Sequence, residues 1–236
     1  MKYENIFFDL YGTLVDIRTD ETMPFLWRVM TDYYKRNGAC YTTEELQKSF
    51  YRSVNEQLSG HNSDYEVDIF DTFKALYDLK GVTADTEVVY QTAKEFRNLS
   101  TIKIDLYNGV LKGLKKLKKT GKKIFLLSNA QACFTMPEIE SLGIGRYFED
   151  IFLSSDYGVK KPSFNFFSIP FDKYGLDKNK SIMVGNDGTS DILGATNFGI
   201  DSLYVKTEIS PEEPLPAATY VLSKYDFTKI LKILTL

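Results

Sequence analysis

A doubly wound α/β fold, in which a parallel sheet lies between helical layers and a helical bundle is inserted after the first strand, is predicted by three observations. Short apolar runs recur at 6–10, 124–127, 151–153, 182–184, 202–205 and 220–222 without clean alternation. That is how strands buried on both faces of a parallel sheet read, whereas one-sided strands alternate. Helical patterns separate the later runs, as strand–helix–strand units require. Between the first run and the second, residues 22–98 read as helix throughout.

The opening strand ends on Asp9 within FFDLYGTLVD. Helices are expected at 22–37, 43–59, 64–80 and 85–98, with Thr42 or Thr43 and Asp85 as N-caps and Gly38, Gly60 and Gly81 near their ends. Segments 17–21 and 99–108 join this bundle to the rest, giving a core of 1–16 plus 105–236 and an inserted cap of 17–104. Trp27, Tyr33, Tyr34, Phe50, Tyr51, Phe70, Phe73 and Tyr77 are read as the packing core of the bundle, and His61 as an exposed loop residue. After the insertion, Leu111, Leu114 and Leu117 form one stripe of a helix. Lysines 112, 115, 116, 118 and 119 form its solvated face, and Gly121 stops it. The stretch 211–216 is read as a loop before the last strand.

The composition narrows the class of partner. A net charge of −3 gives no pull toward nucleic acid or an anionic membrane, and no apolar segment is long enough to span a bilayer. Cys40 and Cys133 do not make a disulfide framework. With no export-like leader, the expectation is a cytoplasmic protein, monomer or homodimer, acting on a small molecule.

Open α/β sheets bind ligands beyond the C-terminal ends of their strands. There this chain collects its chemistry. The first strand delivers Asp9; IFLLSNA delivers Ser128 and Asn129; IMVGNDGTSD delivers Asn186 and Asp187, with Asp191 four residues on; GVKKPSFNFF places Lys160 and Lys161 before a helix. A carboxylate, hydroxyl and amide donors, an ammonium and further acids thus converge from separate segments.

These segments carry a resemblance to the haloacid dehalogenase superfamily of hydrolases, in its branch with a helical cap inserted after the first strand. DLYGTLVD resembles its first motif, LLSNA its second, Lys161-Pro162 its third and VGNDGTSDILGA its fourth, so that the likeness covers essentially the whole chain. The resemblance implies a Rossmann-like core and a catalytic set of Asp9, Tyr11, Ser128 and Lys161. Asp9 would attack the substrate to form a covalent intermediate that water hydrolyses. Ser128, Asn129 and Lys161 would bind the transferring group. Asp9, the Tyr11 carbonyl, Asp187 and Asp191 would surround a Mg²⁺, with Asp191 better suited to orienting than to direct ligation. A phosphate brought to a carboxylate needs such cations, because two unit charges ~4 Å apart repel by roughly 4 kcal/mol at an effective dielectric near 20.

Tyr11 departs from the phosphatases of the superfamily, which place an acidic residue there to protonate the leaving alkoxide. The dehalogenases carry Tyr, and a departing halide needs no proton. They also work without metal and use an Arg after the first strand; Arg18, Arg28 and Arg36 are available, but none matches that position. Asn186 is a second departure, at a place where many relatives are acidic, while Asp187 and Lys161 argue for a metal and a phosphoryl group. The expectation is therefore a Mg²⁺-dependent phosphoester hydrolase, with a metal-independent 2-haloacid dehalogenase, or a binding protein that has lost turnover, as alternatives.

Overall fold

Residues 2–212 and 217–236 are described by a computed structural model. Of the loop expected at 211–216, residues 213–216 lie outside the described residues. In chain order the elements are β1 (Asn5–Phe8), β2 (Val15–Thr19), α1 (Pro24–Arg36), α2 (Thr43–Leu58), α3 (Ile69–Asp78), α4 (Thr86–Ser100), β3 (Thr101–Leu106), α5 (Val110–Lys119), β4 (Lys123–Ser128), α6 (Ala132–Ser141), β5 (Asp150–Leu153), α7 (Ser154–Tyr157), α8 (Phe164–Tyr174), β6 (Ser181–Gly185), α9 (Leu193–Phe198), β7 (Asp201–Val205), β8 (Tyr220–Leu222) and α10 (Phe227–Leu234).

Among the described residues, six strands form one parallel sheet in the order β5-β4-β1-β6-β7-β8. All six expected runs are in it, and its two-sided burial explains their lack of alternation. Ile6 and Phe8 face a layer with Val110, Leu114, Phe227 and Ile230. Phe7, between them, faces the opposite layer with Phe166, Phe167, Phe171 and Phe198. The helix after the insertion buries Val110, Leu114 and Leu117, and Leu111 is 43% exposed rather than part of the stripe. Positions i, i+4 and i+7 from Val110 hold a helical face more closely than the i, i+3, i+6 set expected from Leu111.

Helices α1 to α4 fill the interval between β2 and β3. Thr42 forms a reciprocal capping box with Glu45, and Asp85 caps α4, as the sequence predicts. The third helix begins at Ile69 with Asp68 as its cap, later than expected. Trp27, Tyr34, Phe50, Phe73 and Tyr77 are buried in a common apolar cluster, while Tyr51 is 40% exposed. That cluster does not end at the insertion. Phe134 of α6 enters it, with ring centroids 6.1 Å from Phe73 and 6.2 Å from Phe96.

One element is not foreseen. β2 and β3, read as joining segments, pair antiparallel as a two-stranded ribbon, with Asp16 opposite Asp105 and Ile17 opposite Ile104. The expected boundaries at 16/17 and 104/105 fall inside that ribbon. Asp16 pairs there with Lys103. Among the described residues, no helix is long and apolar enough to cross a membrane.

Candidate active site

Because β1 lies between β4 and β6, with Phe8 level with Leu126 and Val184, the C-terminal ends of the three strands are neighbours. Asp9, Ser128 and the turn after Gly185 therefore meet. Gly12 adopts φ +83°, and a Cβ there would lie 2.3 Å from the Asn186 carboxamide. The turn after Asp9 thus needs glycine both for its left-handed backbone and for the close approach of Asn186. A Cβ on Gly185 would fall 2.1 Å from Asp191, so glycine there leaves the room that Asp191 occupies.

The centre of the site is a chain of charges. Lys161 Nζ donates to Asp9 Oδ1 at 2.8 Å, to Asp191 Oδ1 at 2.6 Å and to the Leu127 carbonyl at 2.8 Å. Ser128 Oγ also donates to Asp9 Oδ1, at 2.9 Å. All four side chains are buried. Burial pulls the Lys161 ammonium down, but Asp191 and Asp9 more than reverse it and hold it above the ordinary lysine range. Burial pushes Asp191 up, against the pull of Lys161.

The other expected residues are brought near with different duties. Asn129 accepts from the Lys161 main-chain N–H at 2.7 Å and donates to the Lys161 carbonyl at 3.0 Å, so its carboxamide fixes the loop that carries Lys161. Asp187 caps the following π-helical turn, Gly188–Ile192, its Oδ1 accepting from the N–H of Thr189 and Ser190 and from the Thr189 hydroxyl. Burial alone would raise Asp187; those hydrogen bonds outweigh it and hold the carboxyl below its usual range. Both oxygens of Asp191 are engaged, one by Lys161 and the other by the Asp187 N–H at 3.1 Å.

Tyr11 reaches away toward α6. Its hydroxyl is hydrogen-bonded to Glu138 and, at 2.9 Å, to Thr135. Arg97, from the last turn of α4, donates to Glu138 at 2.6 Å and lies 5.5 Å from the centre of the Tyr11 ring. Burial, then the Glu138 charge, raises the Tyr11 phenol well above its ordinary value, with Arg97 opposing. The arginine beside Tyr11 is thus Arg97; Arg18, Arg28 and Arg36 are exposed. A cavity of about 570 Å³ beside this network is lined by Lys94, Arg97, Phe134, Pro137 and Glu138, with no part of the Asp9 cluster in its wall. His61 is exposed and stacks on Tyr65.

On the other flank the insertion is fastened to the loop that precedes Lys161. Lys160 N–H donates to the Asp64 carbonyl at 2.9 Å, and Gln131 joins the Val67 carbonyl and the Ile69 N–H at 2.9 and 2.8 Å. Sequence reasoning missed Gln131, Arg97 and Glu138 because each acts across a long chain separation, and it missed Thr13 although that residue lies within the first motif, four positions from Asp9. Asn186 was placed at a sheet tip in the fourth motif but was given no ligand role.

The donors left free decide whether a divalent cation suits these residues. Among the described residues, no group of three His, Cys, Asp or Glu is positioned to hold a metal. What remains beside Asp9 is its own Oδ2 and Asn186 Oδ1, which converge on the Thr13 hydroxyl at 3.4 and 3.3 Å. One carboxylate and one amide oxygen match Mg²⁺, which keeps several waters and takes further oxygens from a bound phosphate. Asp9 and Asn186 fit such a site.

Comparison with known proteins identifies relatives in sequence and in fold. The chain is 26% identical over 211 residues to the glyceraldehyde 3-phosphate phosphatase of Methanothermobacter thermautotrophicus, covering 88% of each chain. Its fold matches that of the HAD-hydrolase YfnB of Bacillus subtilis bound to magnesium, with a TM-score of 0.59 at 18% identity and complete coverage of both chains. It also matches the 2-haloacid dehalogenase of Pseudomonas syringae pv. Tomato, with a TM-score of 0.68 at 16% identity, over 99% of this chain and 98% of that one. The family profile described as haloacid dehalogenase-like hydrolase matches residues 6–205, a span that holds Asp9, Ser128, Lys161 and Asp191, and this chain belongs to that family of hydrolases.

Proposed function

We propose that this hydrolase cleaves a small phosphate compound by way of a covalent intermediate on Asp9, with Mg²⁺ as the accompanying cation and the helical insertion acting as a cap. The observation that carries the reading is the Asp9–Lys161–Asp191 chain. It holds a carboxylate at a sheet tip, keeps it beside a buried ammonium, and steadies that ammonium from behind. A nucleophilic carboxylate facing a phosphate dianion needs that neighbouring positive charge. Ser128 supplies a hydroxyl that can turn from Asp9 to an oxygen of the transferring group. Mg²⁺, when bound, would neutralise phosphate charge, and Asp9, Asn186 and the Tyr11 carbonyl are the residues that would hold it. Two facts about relatives support the choice: one is a phosphatase of a small phosphorylated compound, and another binds magnesium.

A second reading is 2-haloacid dehalogenation. It is favoured by the engagement of Tyr11 with Glu138 and by the neutral Asn186 beside Asp9, since halide departure requires neither a proton donor nor a metal. A panel of phosphate esters and 2-haloacids, each assayed with Mg²⁺ and with EDTA, separates the two. Phosphate release that needs Mg²⁺ is expected. Halide release that is indifferent to EDTA, without phosphate release, overturns the phosphoryl reading in favour of the second.

A further inference from the structure

The ammonium and hydroxyl protons beside Asp9 are committed. An ammonium has three to give, and those of Lys161 go to Asp9, Asp191 and the Leu127 carbonyl. Ser128 gives its single proton to Asp9 Oδ1, and Thr13 lies between Asp9 Oδ2 and Asn186 Oδ1. The Asn129 amide faces the Lys161 carbonyl. Tyr11 is the remaining proton carrier on the loop after Asp9, and its phenol also has one proton. Glu138 is a carboxylate paired with Arg97 and has none to offer. The phenol therefore donates to Glu138 and accepts from Thr135, directing its proton into α6.

We propose that this site is built for phosphate compounds whose leaving group departs as a stable anion without being protonated: acyl phosphates and the phosphates of acidic phenols or enols, in preference to esters of ordinary alcohols. The inference rests on the phosphoryl reading above. In the first step an Asp9 oxygen bonds to phosphorus, the bond from phosphorus to the leaving oxygen breaks, and its electron pair stays on that oxygen as carboxylate, phenolate or enolate. In the second step water adds to phosphorus as the bond to Asp9 breaks and its pair returns to the carboxylate. The second water proton moves to a phosphate oxygen, so dihydrogen phosphate is released. Neither step draws a proton from the protein, in keeping with ammonium and hydroxyl groups that have none to spare. An alkoxide is too basic to leave in this way, and loss of general-acid help slows such substrates by about 10²–10⁴.

The test is kcat/KM with Mg²⁺ for acetyl phosphate, 4-nitrophenyl phosphate, phenyl phosphate and glycerol 3-phosphate, in the parent enzyme, Tyr11→Phe and Tyr11→Asp. In the parent, rates should fall steeply as the leaving group becomes more basic. Tyr11→Phe should show the same ratio of aryl to alkyl rates as the parent, because the phenol is not the donor. Tyr11→Asp should narrow that ratio by about 10². A ratio near one in the parent, or a Tyr11→Phe variant in which the ratio widens, overturns the inference while leaving phosphate hydrolysis intact. Absence of turnover on all four phosphates overturns it together with the phosphoryl reading. Should Tyr11→Asp fail to fold, the parent series and Tyr11→Phe still decide.

Discussion

The guanidinium of Arg97 and the carboxylate of Glu138 meet at 2.6 Å between α4 and α6, with 13% and 12% of their side chains exposed, and so tie the helical insertion to the sheet domain. The pair does not stand alone. Phe134 lies 5.2 Å beneath the same guanidinium, and Tyr11 brings the loop after Asp9 to the same carboxylate. The helical insertion, the sheet and the first motif share one buried junction.

Removing one partner of a largely buried pair leaves the other without compensation. Arg97→Met is expected to destabilise the protein by about 3 kcal/mol, lowering Tm by roughly 6–12 °C for a chain of this size. Arg97→Met combined with Glu138→Met should recover most of that loss. Thermal unfolding followed by circular dichroism measures both; a single-variant loss below about 1 kcal/mol would mark the pair as solvated.

Lys161 faces both Asp9 and Asp191, so Lys161→Met leaves two buried carboxylates facing each other. The expected fall in kcat is about 10³, and that for Ser128→Ala about 10², the range for loss of a preorganised donor. Steady-state kinetics with the best substrate of the panel checks this. A Lys161→Met enzyme within tenfold of the parent contradicts the role given to the ammonium.

Asn186 contributes a neutral oxygen beside Asp9, and Asn186→Asp adds a charge. The variant is expected to bind Mg²⁺ about tenfold more tightly, or about 1.4 kcal/mol, after repulsion between the two carboxylates has taken back part of the gain. Isothermal titration calorimetry of parent and variant is the measurement, and it needs no turnover. Equal affinities would place the cation away from Asn186.

The two cysteines should differ sharply. Cys40 is exposed, while burial pushes the Cys133 thiol up to about 12. At pH 8 roughly one Cys133 in 10⁴ is the reactive thiolate. Iodoacetamide should label Cys40 alone in the folded protein and both residues after denaturation, as read by peptide mass spectrometry.

Burial raises the phenols of Tyr11, Tyr34 and Tyr225 above their ordinary range. Unfolded phenols titrate near pH 10. Above that pH the folded state binds more protons than the unfolded state, so stability falls as pH rises. The contribution is intact below about pH 10 and is lost beyond it, by roughly 1.4 kcal/mol per phenol per pH unit. Urea midpoints at pH 8 and pH 11, with tyrosinate absorbance at 295 nm, should show loss of stability accompanied by cooperative ionisation.

The sequence by itself determined the sheet, the helical run and the residues carried to the sheet tips. Strand and helix periods are local properties of the chain, and a residue that ends a strand, or stands in the segment that leaves its C-terminal end, sits near the sheet tip whatever lies around it. Asp9, Ser128, Lys161 and Asp191 could therefore be named together before any distance was known. The tertiary structure alone decided what each of them touches. The β2–β3 ribbon joins segments some 85 positions apart, and its exposed charges, Arg18 and Lys103 among them, hide its pairing. Arg97, Glu138 and Tyr11 are likewise distant in the chain and meet only when α4 packs on α6. A hydrogen-bond partner is selected by position in space, so Tyr11 could be recognised as the wrong acid from its neighbours in sequence, but its proton was assigned to Glu138 only by the fold.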